Sequence, residues 1–227
     1  MFITFEGPDG SGKSTQAEKL AASLRNMGHD VELIHFPRYE GTIGKLIGEI
    51  IRGEKKLKNF DALEMLYVAD QLDYQVDLER LVFDEHKIVI ADRYDMSTIA
   101  YYASKTGCSV DEAIRYIRDK WQYGFAQPDI TFLISFEGDL DERRVEMNKE
   151  KDLFEVDSDV LSTINDIYQE LSEKLYTRYV VTLDGKKTIS ENANTILCEV
   201  NNIIKENRKY NIKDCKLFKK NNTEPFK

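Results

Sequence analysis

The sequence predicts an α/β fold, a five-stranded parallel sheet with helices on both faces. Three observations lead to it. Five short runs rich in β-branched and aromatic residues recur along the 227 residues. Helical stretches with a 3.6-residue apolar period separate them, and strands alternating with helices imply crossover connections and parallel pairing. A glycine-rich turn, GPDGSGKST, joins the first run to the first helix.

The first strand is FITFE, Phe2 to Glu6. The helix after the turn runs to about Gly28, with Ala17, Leu20, Ala21 and Leu24 at i, i+3, i+4 and i+7. Further strands read VELIHF (31–36), KIVIAD (87–92), ITFLISF (130–136, entered through Pro128) and YVVTL (179–183). Residues 59–84 read as one long helix carrying Leu63, Leu66, Tyr67, Asp70, Tyr74, Leu78 and Leu81. A helix near 97–106 stops at Gly107. The next has Ser109 as N-cap and Glu112 at N3, the spacing of a capping box. Residues 157–177 place Ile164, Ile167, Tyr168 and Leu171 on one face, and a helix over 188–206 closes the fold.

There is no internal repeat, low-complexity block or Gly/Ser linker, so one domain is expected over 1–204. Residues 205–227 differ, with eight Lys/Arg against three Asp/Glu and little apolar periodicity; they read as a solvated basic extension. Hydrophobic residues at 41% and charged residues at 32% describe a globular chain. A net charge of −9 argues against bulk binding to nucleic acid or anionic lipid. No apolar run approaches a bilayer span, and MFITFEGPDG lacks the marks of a signal peptide, so no membrane role is expected. Three scattered cysteines without a CxxC point to a reducing, cytoplasmic setting and no structural zinc.

Gly7-Pro8-Asp9-Gly10-Ser11-Gly12-Lys13-Ser14 fits G-x-x-x-x-G-K-[ST] between a strand and an amphipathic helix, the required context. The glycines let backbone N–H groups turn inward, where with the helix N-terminus they bind phosphate oxygens. Lys13 reaches the β and γ phosphates, the Ser14 hydroxyl suits Mg²⁺, and Thr15 continues the first turn. The motif predicts nucleoside triphosphate binding without naming a reaction. Asp92 ends the third strand, where a carboxylate faces the ligand crevice of a parallel sheet and suits Mg²⁺. Arg93 follows it, so metal and phosphate can be handled side by side.

FEGPDGSGKSTQ, FPR at 36–38 and DRYDMSTIAYY at 92–102 together resemble thymidylate kinase, in the nucleoside monophosphate kinase group of P-loop proteins. The resemblance spans about residues 1–204. It implies the P-loop nucleoside monophosphate kinase fold with a short basic lid at about 141–156, and transfer of the ATP γ-phosphate to dTMP with Mg²⁺. It also implies a homodimer. By the same resemblance Arg38 and Arg93 hold the acceptor phosphate, Asp9 contacts its sugar side, Tyr67 stacks on the base, and Ser97 and Tyr101 lie near base and sugar. Gly185 and Lys186, in LDGKK, match a segment set against the adenine, although a plain surface turn fits them nearly as well.

The chain departs from the family pattern in three places. Gln71 stands where the family reads the base with Arg; its amide fits thymine in one orientation and cytosine in the other. Gly10 and Leu153 occupy slots where family members carry a catalytic Arg. The charge on the transferring phosphoryl then falls to Arg143, Arg144, Lys149 or Lys151, with Arg143 the choice because guanidinium binds phosphate in a bidentate way. Two alternatives accompany the main reading. A deoxynucleoside kinase would need a carboxylate base near the end of the second strand, for which Glu40 is available. A non-catalytic nucleotide-binding protein draws support only from the missing lid and base arginines, and intact Lys13, Ser14 and Asp92 argue against it.

Overall fold

The computed structural model describes residues 1–119, 126–136, 158–174 and 179–209. The expected lid, with Arg143 and its three alternatives, and most of the basic extension lie outside the described residues. The elements in order are β1 (Phe2–Glu6), α1 (Lys13–Asn26), β2 (Val31–His35), α2 (Thr42–Ile51), α3 (Phe60–Asp73) and α4 (Gln75–Glu79). They continue with β3 (Ile88–Asp92), α5 (Asp95–Thr106), α6 (Val110–Ile114), β4 (Ile130–Ser135), α7 (Ser158–Lys174), β5 (Val180–Asp184) and α8 (Ile189–Lys209). Single π-helical turns extend α4 over Arg80–Asp84 and α6 over Arg115–Asp119.

The five strands form one parallel sheet in the order β2-β3-β1-β4-β5. The three central strands are buried throughout, as expected of near-continuous apolar runs covered on both faces. Alternate residues serve opposite faces. Ile3, Phe5, Ile90 and Phe132 pack with Ala17, Leu20 and Leu24 of α1 and Ile196 and Val200 of α8. Phe2, Val89, Ala91 and Leu133 pack with Met96 and Ile99 of α5 and Ile164, Tyr168 and Leu171 of α7. Neighbouring strands β1 and β3 therefore send their following helices to opposite faces. That opens a crevice at their carboxyl ends, the position at which open α/β sheets bind ligands.

The stretch expected as one helix over 59–84 is interrupted at Tyr74. Side chains take the carbonyls that would carry the helix onward. Gln75 Nε2 donates to Gln71 O at 2.8 Å, and Arg38 Nη2 donates to Asp70 O at 3.2 Å. At the other end Asn59 caps α3, its side chain accepting from Asp61 N at 2.9 Å. Helix α2 is absent from the sequence expectation, since Gly44 and Gly48 lower its intrinsic propensity. Packing forms it: Ile47 and Ile50 bury against Leu63 of α3. A Cβ on Gly44 would overlap the Arg38 carbonyl, so this glycine lets α2 press onto the loop that carries Arg38.

Helix α3 also buries Glu64, whose Oε2 has no hydrogen-bond partner. Burial, with a smaller push from Asp61 and an opposing pull from Lys105, raises its pKa from 4.5 to about 8. The folded state then holds a proton that the unfolded state releases. This contribution is complete below 4.5 and is lost as pH rises toward 8. Glu64→Gln removes the dependence, and calorimetry should find its thermal midpoint above wild type by about 5 °C at pH 8, with a smaller gain at pH 5.5.

Candidate active site

The phosphate loop leaves β1 at Gly7. Its φ is 142°, and a Cβ there would lie 2.5 Å from the Ile134 carbonyl of β4. Only glycine lets the turn lie flat against that neighbouring strand. Gly10 and Gly12 also have positive φ, 79° and 90°, and Ser11 N donates to Pro8 O at 3.3 Å to close the loop. Helix α1 begins at Lys13 without a side-chain cap, which leaves its first-turn amides available to an anion. Thr15 is half-buried in that turn, and the Ser11 hydroxyl is buried without a partner.

Lys13 is buried, donates to Pro8 O at 3.3 Å and lies 3.6 Å from Asp9 Oδ1. Burial is the main influence on its ammonium. Arg93 adds to the depression, Asp9, Asp92 and Glu6 oppose it, and its pKa falls to about 8.

Arg93 adopts a left-handed φ of 69° directly after β3. Its amide donates to Phe5 O at 2.9 Å, which ties this strained turn to β1. Its guanidinium is held on several edges. Nη1 donates to Ser97 Oγ at 2.9 Å and approaches Gly7 O at 3.4 Å; Nη2 meets Asp9 Oδ1 at 2.5 Å. The plane lies 5.3 Å from the Tyr101 ring centroid, and the Tyr101 hydroxyl donates to Asp9 Oδ2 at 2.7 Å. Burial works against the Asp9 charge, yet Arg93 and Lys13 overcome it and hold the carboxyl well below the usual carboxylate range. Asp9, Arg93, Ser97 and Tyr101, expected from the sequence, thus form one contiguous cluster with the phosphate loop.

Asp92 pairs with His35 Nδ1 at 3.0 Å, and the Ser14 hydroxyl is close enough to influence its charge. Burial raises its pKa, but the bond from His35, the Lys13 charge and the Ser14 hydroxyl bring it below the usual value. Its Oδ1 is buried with no partner. An ionised carboxylate with a vacant lone pair beside an exposed hydroxyl is a donor set that fits a divalent cation sharing phosphate oxygens. Among the described residues, no group of three or more His, Cys, Asp or Glu gathers as an all-protein cage.

On the far side of β3, Arg38 is anchored to α3. Its amide donates to Asp70 Oδ2 at 2.7 Å, and its Nη2 reaches Asp70 Oδ1 at 3.2 Å and Asp73 Oδ2 at 2.7 Å. Its Nε is buried and unpartnered. Gln71 is also buried; Nε2 donates to Thr98 Oγ1 at 3.1 Å, and Oε1 has no partner. Tyr67 lies one turn before it on the same helix, half-buried. Glu40 is exposed on the surface.

At the end of β5, Gly185 is buried and its amide donates to Ser135 O at 2.8 Å. The Lys186 side chain is exposed, and its amide donates to Asp184 Oδ1 at 2.8 Å. Gln16 of α1 reaches this region, with Nε2 donating to Ile189 O at 3.0 Å.

Four further residues hold these side chains: Glu6 and Tyr168 bond Ser97, Thr98 bonds Gln71, and Asp70 bonds Arg38. Glu6 and Tyr168 read as strand and helix-core residues because their functional contacts are with distant segments. Thr98 carried a weak signal beside Ser97 in DRYDMSTIAYY.

Phosphate oxygens placed around Lys13 would favour its charged form, so their binding above pH 8 would be coupled to proton uptake. Calorimetry in buffers of different ionisation enthalpy should detect that uptake at pH 8.5, and ATP affinity should fall by about tenfold for each pH unit above 8.5. It should be absent at pH 6.5.

The family model described as thymidylate kinase matches residues 5–196. A protein of Methanocaldococcus jannaschii called a probable thymidylate kinase is 35% identical over 205 residues, covering 89% of this chain and 97% of that one. The thymidylate kinase of Plasmodium falciparum is 26% identical, covering 92% and 94%. The solved structure of the Candida albicans thymidylate kinase superposes with a TM-score of 0.72 at 25% identity, covering 91% of this chain and 92% of that one.

Proposed function

The chain belongs to the thymidylate kinase family, and from that premise we propose how its crevice transfers the γ-phosphate of ATP to dTMP. The observation that carries the reading is the place of Arg93. Its guanidinium touches both Gly7 O and Asp9 of the phosphate loop, which supports a role for this cation at the seam between the two phosphates.

The triphosphate lies on the amides of Gly7 to Thr15 with Lys13 along its β and γ groups, and the adenine lies against Gly185 and Lys186. The acceptor phosphate takes the free Nε edge of Arg38 and the face of Arg93. These two phosphates repel, and neutralising both while aligning them is most of the work of the reaction. An acceptor phosphate oxygen attacks the γ-phosphorus, the bond to the β–γ bridging oxygen breaks, and ADP leaves. No general base is needed, since the second ionisation of a phosphate monoester lies near pH ~6. Ser14 and Asp92 would hold Mg²⁺, which when bound neutralises phosphate charge. On the sequence resemblance, segment 141–156 is the lid and Arg143 carries charge on the transferring phosphoryl. The same resemblance supports a homodimer as the active form, and the three scattered cysteines support a cytoplasmic setting.

Tyr67 stacks on the base and Asp9 meets the sugar side with Tyr101, while Ser97 lies beside them and holds Arg93. With Nε2 committed to Thr98, the Gln71 Oε1 is an acceptor in need of a donor, and N3–H of thymine supplies one. Cytosine has an acceptor at N3, so this orientation disfavours it. A nucleoside acceptor is disfavoured as well. Glu40 is exposed, and Asp9, the carboxylate within the phosphate loop, is engaged by Arg93, Tyr101 and Lys13, which leaves it a poor base.

ADP release should therefore be measured with a panel of nucleoside monophosphates and the matching nucleosides. The expected outcome is turnover of dTMP at least about tenfold above dCMP, and none of thymidine. Turnover of thymidine instead would sink the proposed roles of Arg38 and Arg93. Arg93→Ala should lower kcat/KM for dTMP by about 10²–10³. In the same assay Gln71→Ala should raise KM for dTMP about tenfold and leave KM for ATP unchanged.

A further inference from the structure

A carboxyl that the reaction above does not use sits at the root of the Arg93 cluster. Glu6 is the last residue of β1 and has no exposed surface. Its Oε1 accepts from Tyr94 N at 2.9 Å, and its Oε2 accepts from Ser97 Oγ at 2.5 Å. Ser97 Oγ in turn accepts from Arg93 Nη1 at 2.9 Å and lies 2.8 Å from the Tyr168 hydroxyl of α7. Proton counting orders this chain. Ser97 has one hydrogen, which goes to Glu6, so its lone pairs are left for Arg93 and Tyr168. Every donor points toward the one carboxylate.

A carboxyl buried this completely is unfavourable unless its bonds are satisfied. Here they are, and each leads to the turn that carries Arg93. We propose that Glu6 is a positioning residue for phosphoryl transfer, fixing the Arg93 guanidinium through Ser97 in the rotamer that receives the acceptor phosphate. The proposal rests on the function proposed above. Tyr168 extends the same link to α7.

The charged and titratable groups that face Glu6 are Arg93 from the turn after β3, Asp95 from α5, Lys13 from α1 and Tyr168 from α7. Burial is the largest influence on its pKa and raises it. Ser97, Arg93 and the Tyr94 amide pull it down and Asp95 pushes it up, leaving it at about 7. Protonation removes the acceptor that orders Ser97, so the grip on Arg93 weakens as pH falls through that range.

The test compares wild type, Glu6→Gln, Ser97→Ala and the double variant, with kcat and KM for both substrates between pH 5.5 and 8.5. Glu6→Gln should lower kcat/KM for dTMP about tenfold at pH 8 while KM for ATP stays within about twofold. It should also remove the part of the acid limb near pH 7, leaving only the limb of the substrate phosphate. Ser97→Ala severs Glu6 from Arg93 and should flatten the same limb, and the double variant should be no worse than the more damaged single. Additive losses, an equal loss toward ATP, or a limb that persists in Ser97→Ala would each overturn the proposal. If Glu6→Gln does not fold, the pH profile of Ser97→Ala still decides it. Wild-type turnover of dTMP tests the function separately; the variants are judged as ratios to wild type on whichever monophosphate it accepts.

Discussion

The parallel pairing of β1 with β3 is the constraint on which the rest of this structure depends. Its register sets Phe5 opposite Asp92, so that both strands end at the same level. The phosphate loop leaves one strand and Arg93 leaves the other, and they touch although 84 to 86 residues apart. Because α1 and α5 depart to opposite faces, nothing of the sheet's own fills the gap between those ends. The Arg93 amide bonded to Phe5 O then holds the second turn against the first strand.

That gap concentrates charge. Glu6, Asp9, Lys13, Asp92 and Arg93 influence one another's ionisation within one crevice. In a half-buried site such charges are screened weakly, so each holds its neighbours in place. The Arg93–Asp9 pair keeps the guanidinium aimed before any ligand arrives, which is how a site avoids reorganising when charge moves in the transition state. The remaining demand for partners is visible. Ser11 Oγ, Arg38 Nε, Gln71 Oε1 and Asp92 Oδ1 are all buried and unsatisfied. Buried polar atoms rarely remain so, and these four lie where phosphate, base and cation are proposed to bind.

Much of this was legible in the sequence, because it depends on local rules. The strand runs, the glycine-rich turn and the capping box of Ser109 and Glu112 follow from period, positive φ and side-chain reach, and the structure has all of them. Asp92 and Arg93 stood out because a strand end is recognisable without its neighbours. The break at Tyr74 was not legible. It arises because Arg38, more than 30 residues away, and Gln75 take carbonyls that periodicity assigns to the helix. Helix α2 was equally hidden, since its two glycines argue against a helix that burial of Ile47 and Ile50 nonetheless secures.

The sequence by itself therefore determined the class of fold, the phosphate loop and the identity of most residues around it. Tertiary structure alone decided their partnerships: Asp9 with Arg93 and Tyr101, Gln71 with Thr98, Arg38 with Asp70, and Glu6 with Ser97 and the Tyr94 amide. The physical reason is that strand and turn preferences are set within a few residues of chain. A hydrogen bond between segments 27 to 92 residues apart is set by sheet order and by which face each helix covers.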